Sequence, residues 1–272
     1  MSAQHLFFRT AALLFISGCA ALVAAPQDHP KAIAKASSGS PKLVVNPSRD
    51  QIVPLVYDGN GWTTLFVIAN LDNHTIVVQT FFTASDGSDL PLPVIGIGRT
   101  NSVEVTLPPG ANYSFVTSGL AADRATGYAY VTAKNGSDLF GGYASVRNQA
   151  ANVPDLEFTV PLTPIDENFF TLAFDNIGGY STYAILINSS SKNSASVHVS
   201  VQDIDGNVVA TDTISIDPYG RYAFNLADFY PVDGRVGNIY FSASGGQFVA
   251  GSGLRVGPNQ SINLIPVLSL PR

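Results

Sequence analysis

The side chains that carry out most protein chemistry are scarce in this chain of 272 residues. Of four histidines, His5 and His29 lie near the N-terminus, leaving His74 in a turn-like stretch and His198 between two valines. Neither falls in an H-E-x-x-H or H-x-H spacing, and no G-x-S-x-G marks a nucleophile elbow. A metal site needs several convergent ligands, so both histidines are expected to be structural or solvent-facing. Glycoside hydrolysis needs two carboxyl groups facing each other across a cleft. The glutamates are Glu104, Glu157 and Glu167; Glu104 alternates with apolar neighbours and is expected on a solvated face. No catalytic residue is assigned, and the chain is expected not to be an enzyme. A hydrolase with an acid pair at a domain junction is the alternative.

Two further sets of residues could bind something. Asp203-Ile-Asp205-Gly206-Asn207 opens like a calcium loop, but its glycine comes early and no bidentate glutamate closes it. Asp-Gly is also the expected dipeptide of a hairpin turn. No cofactor is therefore expected, with calcium at Asp203 and Asp205 as the alternative. Trp62, the one tryptophan, and Tyr180 each head an apolar strand. They could form a stacking surface for a glycan or peptide, or plug the open end of a sandwich. Charged residues make up only 12% of the chain, so matched charges draw the eye. Asp58 and Arg147 in one half, and Asp175 and Arg255 in the other, are expected to form one ion pair per half.

These residues sit in a sequence that repeats itself. Residues 58–70 run acid, Gly-rich turn, aromatic, hydroxyls, apolar strand, Asn, and residues 175–188 run through the same events. Behind each comes a β-branched strand, an Asp-Gly turn (Asp86-Gly87 and Asp205-Gly206), an alternating strand and a Pro-containing turn. Phe115 then matches Phe224, Gly127 matches Gly237 and Pro161 matches Pro266. The largest length difference is a Pro/Gly-punctuated insertion at residues 90–99 of the first copy. Each copy has about 100 residues of short strands with frequent turn signals, the pattern of a β-sandwich. No stretch sustains a helical apolar period. The expected fold is all-β, with two tandem immunoglobulin/fibronectin-like sandwiches at residues 49–164 and 165–272. The short connection between them predicts that they pack partly against each other.

The repeat resembles a β-sandwich module of exported proteins in soil bacteria, Acidobacteria-like ones above all. The matching residues are Gly59, Gly61, Trp62, Thr64, Asn70 and Asp86-Gly87, then Gly178, Gly179, Tyr180, Thr182, Asn188 and Asp205-Gly206. Tyr180 departs from the tryptophan of that pattern. The resemblance implies a fold and an exported address, and carries no catalytic residue with it.

Export is also expected from the N-terminus. Arg9 precedes an apolar run, and small residues up to Ala25 offer cleavage sites, so residues 1–25 read as a signal segment. Cys19, the one cysteine, ends Ile16-Ser-Gly-Cys19, a match to the bacterial lipobox, which makes it a candidate lipidation site; a conventional signal peptide is the alternative. Residues 26–48 have the composition of a flexible linker. The net charge of −6 argues against a nucleic-acid partner. The partners expected are a glycan or a protein, with membrane contact only through an N-terminal lipid. The role expected is adhesive, structural or interactive at the cell envelope or outside it. A carbohydrate-binding module using Trp62 and Tyr180 is the second reading.

Overall fold

In the computed structural model, residues 33–36 and 50–269 are described, apart from 122, 136–137, 152–154, 166–167 and 246. Of the first strand's side chains only Lys35 is described. The signal segment, Cys19 and Glu167 lie outside the described residues. Contacts group residues 32–272 into one compact unit. Among the described residues no helix is long and apolar enough to cross a membrane.

The chain is nearly all strand, as its β-branched and aromatic composition requires. Its first half runs β1 (Ile33–Ala36), β2 (Gln51–Asp58), β3 (Trp62–Asn70), β4 (Ile76–Ala84), β5 (Leu92–Val94) and β6 (Gly98–Thr100). It continues with β7 (Ser102–Leu107), β8 (Asn112–Val116), β9 (Ala125–Ala133), β10 (Phe140–Asn148), β11 (Leu156–Pro161) and β12 (Thr163–Pro164). The second half holds β13 (Phe169–Asp175), β14 (Ser181–Asn188), β15 (Ala195–Asp203), β16 (Val208–Ile216) and β17 (Arg221–Asn225). A single-turn helix α1 (Leu226–Phe229) follows, then β18 (Val236–Ala243), β19 (Val249–Val256), β20 (Ile262–Ile265) and β21 (Leu268–Ser269).

The halves match strand for strand. In the first, β7-β4-β9-β2 form one sheet and β11-β10-β3-β8 the other; in the second, β16-β15-β18-β13 and β20-β19-β14-β17 repeat that order. Every named strand pairing is antiparallel. The short strands β12 and β21 extend the matching edges at β2 and β13. The 90–99 insertion forms the β5–β6 hairpin, which buries Leu92 and Val94 and lies against the end of β8.

Alternation along the strands builds the cores. Val197, Val199 and Val201 are fully buried on β15, while His198 between them faces out. Phe66 stacks on Phe115 with ring centroids 4.8 Å apart, and Phe82 closes on Phe66 at 5.6 Å. Burying each such ring contributes about 1.5–3 kcal/mol. Strand β14 does not alternate, because it is buried on both faces. Ala184 and Leu186 enter the second half's core, while Ile185 and Ile187 join the core of the first. The expected packing between halves is thus a shared core.

Polar residues complete that junction. Arg221 on β17 is half-buried and donates through Nη1 to Ser85 Oγ, Thr126 Oγ1 and the Gly127 carbonyl, each at 3.2 Å. Tyr128 donates its hydroxyl to the Tyr219 carbonyl at 2.9 Å. A side chain at Gly87 would meet the Pro218 carbonyl at 2.4 Å, so the first half's Asp-Gly turn sits directly on the second half's Pro turn.

One stretch departs from its expected character. Ile33–Ala36, within residues of linker composition, is a strand paired to β7. Strand addition at a sheet edge is made by backbone groups, and four residues are too few to show a period.

Candidate functional site

The duplicated polar residues hold turns. Asn70 Nδ2 donates to the carbonyls of His74, Leu107 and Pro108 at 2.8, 2.9 and 2.9 Å. Asn188 Nδ2 does the same to Asn193, Ile216 and Asp217 at 2.8, 3.0 and 3.0 Å. Both amides are buried, and each ties two turns to the end of its strand. Thr64 Oγ1 receives the Tyr57 N–H at 3.0 Å, and Thr182 Oγ1 receives the Asp175 N–H at 3.3 Å.

These bonds correct the expected charge pairing. Thr64 matches Thr182, so Tyr57 is the counterpart of Asp175 and buried Asp58 is the counterpart of buried Asn176. Cross-strand pairing likewise sets Phe66 opposite Ala144 and Ala184 opposite Gly253, which makes Val146, not Arg147, the counterpart of Arg255. A slip of one residue puts a strand side chain on the other face. Asp58 accepts the N–H groups of Gly119 and Ala121, both at 2.8 Å, and Arg147 pairs with Asp155 at 2.9 Å. The expected Asp58–Arg147 pair is therefore replaced by other partners. In the second half Arg255 does meet Asp175, at 2.6 Å.

The two aromatic slots are half-buried. Trp62 packs against Tyr57, centroids 4.9 Å apart, and Tyr180 carries the Arg255 guanidinium 3.5 Å from its ring centroid. One face of each ring is thereby taken within the chain. The Asp203 carboxylate accepts the N–H groups of Asp205 at 3.0 Å and Asn207 at 2.9 Å, and also the Asn207 side chain. Those bonds, Asn207's first, hold its carboxyl below the usual range. Both its oxygens take part in hydrogen bonds within the hairpin.

Glu104 points away from the core but is not solvated. It is 6% exposed and meets Lys134 at 2.6 Å, Lys35 at 3.0 Å and Gln79 at 3.1 Å. Burial pushes its carboxyl up, and the two ammonium groups outweigh that to leave it below the ordinary range.

His74 also has partners that spacing alone could not reveal. Its Nδ1 lies 3.1 Å from Asp72 and its Nε2 lies 3.0 Å from buried Asp138. The hydrogen bond that the ring donates to Asp138 leads in raising the imidazole pKa; slight burial opposes it, and the charge of Asp72 adds to it. The three side chains offer donor atoms within 4.8 Å of one another, a set a divalent ion could use. With each ring nitrogen facing a different carboxylate, the arrangement is that of an imidazolium bridging two loops. Asp138 is 64 residues from His74 in sequence, which is why only the fold brings them together.

No family model matches this chain. An uncharacterised protein, number 51, of Sulfolobus islandicus filamentous virus (isolate Iceland/Hveragerdi) is 28% identical over 173 residues, covering 63% of this chain and 67% of the viral one. No solved structure matches it.

Grooves on the described surface offer other places for a ligand. One, of about 450 Å³, runs between Asp155, Leu156 and Glu157 of the first half and residues 258–262 of the second. Of its two carboxylates, Asp155 is paired with Arg147, and Glu157 accepts the Ser145 hydroxyl at 2.6 Å. Another, of about 230 Å³, lies between residues 212–215 of β16 and the rings of Tyr222, Phe224, Phe229 and Tyr230. These rings pack edge to face, Phe224 and Phe229 with centroids 5.4 Å apart, and Phe229 is 55% exposed. Sequence reading missed this second site, although the run Tyr222, Phe224, Phe229, Tyr230 was its visible signal.

Proposed function

We propose that the protein is a non-enzymatic interaction module, exported to the cell envelope or beyond it and related to the soil-bacterial sandwich repeats its turns resemble. The observation that carries this reading is the use made of the duplicated polar groups. Asn70, Asn188, Thr64 and Thr182 all bond to the backbone of their own turns. What the repeat preserves is therefore a scaffold. A shared core and the bonds of half-buried Arg221 hold the two halves together, which suits the display of binding surfaces.

The carbohydrate reading rests on Trp62 and Tyr180, which are half-buried with one ring face of each packed within the chain. A binding panel of immobilised oligosaccharides and extended peptides, run on the purified protein with and without calcium, separates the readings. Peptide or protein binding without calcium dependence is expected. Glycan binding abolished by Trp62→Ala would replace this reading with the carbohydrate one, and turnover of any panel member would replace it with an enzyme.

A further inference from the structure

We propose that the aromatic groove beside β16 docks an extended segment of a partner protein, added as an antiparallel strand along residues 212–215. The proposal rests on the interaction reading above and names its site.

The two halves supply the argument. Ile76 opposite Leu107 and Ala195 opposite Ile216 fix the correspondence of β7 with β16. Residues 103–106 of β7 therefore correspond to residues 212–215 of β16. Ile33–Ala36 pairs with residues 103–106, Ile33 opposite Thr106 and Ala36 opposite Val103. The same four places on β16 have no strand beside them among the described residues and form one wall of the aromatic groove. This type of edge thus takes a four-residue strand in one half and stands open in the other.

The open edge also shows a makeshift partner. The Thr213 N–H donates to the Asp212 carboxylate at 2.7 Å, a side chain standing where a strand carbonyl would otherwise accept. Unpaired edge groups are a template for strand addition, and main-chain bonds there give affinity while adjoining pockets select side chains. Opposite the edge, exposed Phe229 and half-buried Tyr222 supply an apolar surface, and Asp212 on the edge itself supplies negative charge. The fitting occupant is an uncharged-to-basic, strand-forming segment with small or apolar side chains. Ile33–Ala36 has that character, and its Lys35 finds an acid on β7 at 3.0 Å. The chain's own segment, Ile33–Ala36, is seated on β7. The β16 groove is left for a segment from another protein.

The test uses a labelled synthetic peptide of residues 31–37 titrated into the full chain, read by fluorescence anisotropy and by amide chemical shifts. Saturable binding is expected, with shifts at residues 211–216 and at Tyr222 and Phe229. Thr213→Pro removes the edge N–H and blocks the strand, and should weaken binding by at least on the order of tenfold. Phe229→Ala, at an exposed ring that leaves the core intact, should weaken it by on the order of tenfold. Shifts confined to β7, displacement by an oligosaccharide, dimers joined at β16, or no saturable binding would each overturn the groove. A partner found in the panel whose binding survives both substitutions would also overturn it, while keeping the interaction reading. A panel with no binder at all would remove both.

Discussion

The two halves share the strand order of their two main sheets, yet they solve the same problems with different residues, and the comparison separates what the backbone demands from what it tolerates. Where both halves keep a residue, the backbone demands it. Gly127 and Gly237 lie where a β-carbon would come within 2.0 Å of the Thr83 carbonyl and 2.1 Å of the Gln202 carbonyl. Where the halves diverge, the fold tolerates either choice. Gly110 has a positive φ of 68° in the first Pro turn, and Tyr219 takes the same turn with φ of 53°, its carbonyl bonded across the junction to Tyr128. Glu104 with its two lysines corresponds to Thr213 on the open edge. The outer edge of β7 carries β1 and that of β16 carries nothing described.

The sharpest way to break this comparison is to tax both halves at a shared position. Gly127→Ala and Gly237→Ala each force a methyl into a neighbouring strand's carbonyl, and each is expected to destabilise by about 3 kcal/mol or more. Urea denaturation should show similar losses for the two. A negligible loss at either would mean that its matched strands are not equivalent. Asn70→Ala and Asn188→Ala come next. Each leaves three turn carbonyls without their donor, at least one of them fully buried, for a loss of about 2 kcal/mol by the same measurement.

Such shared positions are also those most legible from sequence. The repeat, the turns, the alternation of β15 and the all-β fold follow from local chemistry of period two and from glycine, proline and Asp-Gly signals. What could not be read is whatever depends on register or on distant partners. Asp58 and Asp175 align by eye, yet one residue separates their true counterparts, and that shift turns one into a buried loop anchor and the other into the partner of Arg255. Asp138 reaches His74, and Arg221 reaches Ser85, across sequence gaps that carry no pattern. The aromatic wall of the β16 groove was visible in the sequence, but its edge was not, because an edge is defined by what fails to pair with it.

Arg221 sharpens the comparison differently, by asking whether the halves are one folding unit. Arg221→Met keeps the aliphatic stem and removes three bonds to the first half. Loss of a buried charge partly offsets loss of its hydrogen bonds, so a destabilisation of about 1–2 kcal/mol is expected. The diagnostic is cooperativity. The native chain should unfold in a single calorimetric transition because Ile185 and Ile187 share a core with the first half, and the variant should broaden or split it.

The smallest effect expected isolates a feature of one half alone. The turn after β3 ends at His74, and its counterpart after β14 ends at Asn193, since both give a carbonyl to the matched asparagine. Asp72 likewise corresponds to Ser190, as both donate an N–H to that asparagine's oxygen. The turn therefore forms without an imidazole or an acid, and the two His74 ion pairs are an addition to it. Because the folded state raises the His74 pKa, their contribution is fully present below the ordinary histidine value of 6.5 and is lost as pH rises through the folded value. Native stability should thus fall slightly between mildly acidic and neutral-to-alkaline pH. Asp138→Asn removes the leading cause of the shift, so it should bring the His74 ring resonances to a lower titration midpoint and flatten that part of the stability profile. A His74 midpoint unmoved by the substitution would show that the bridge between the two loops does not form in solution.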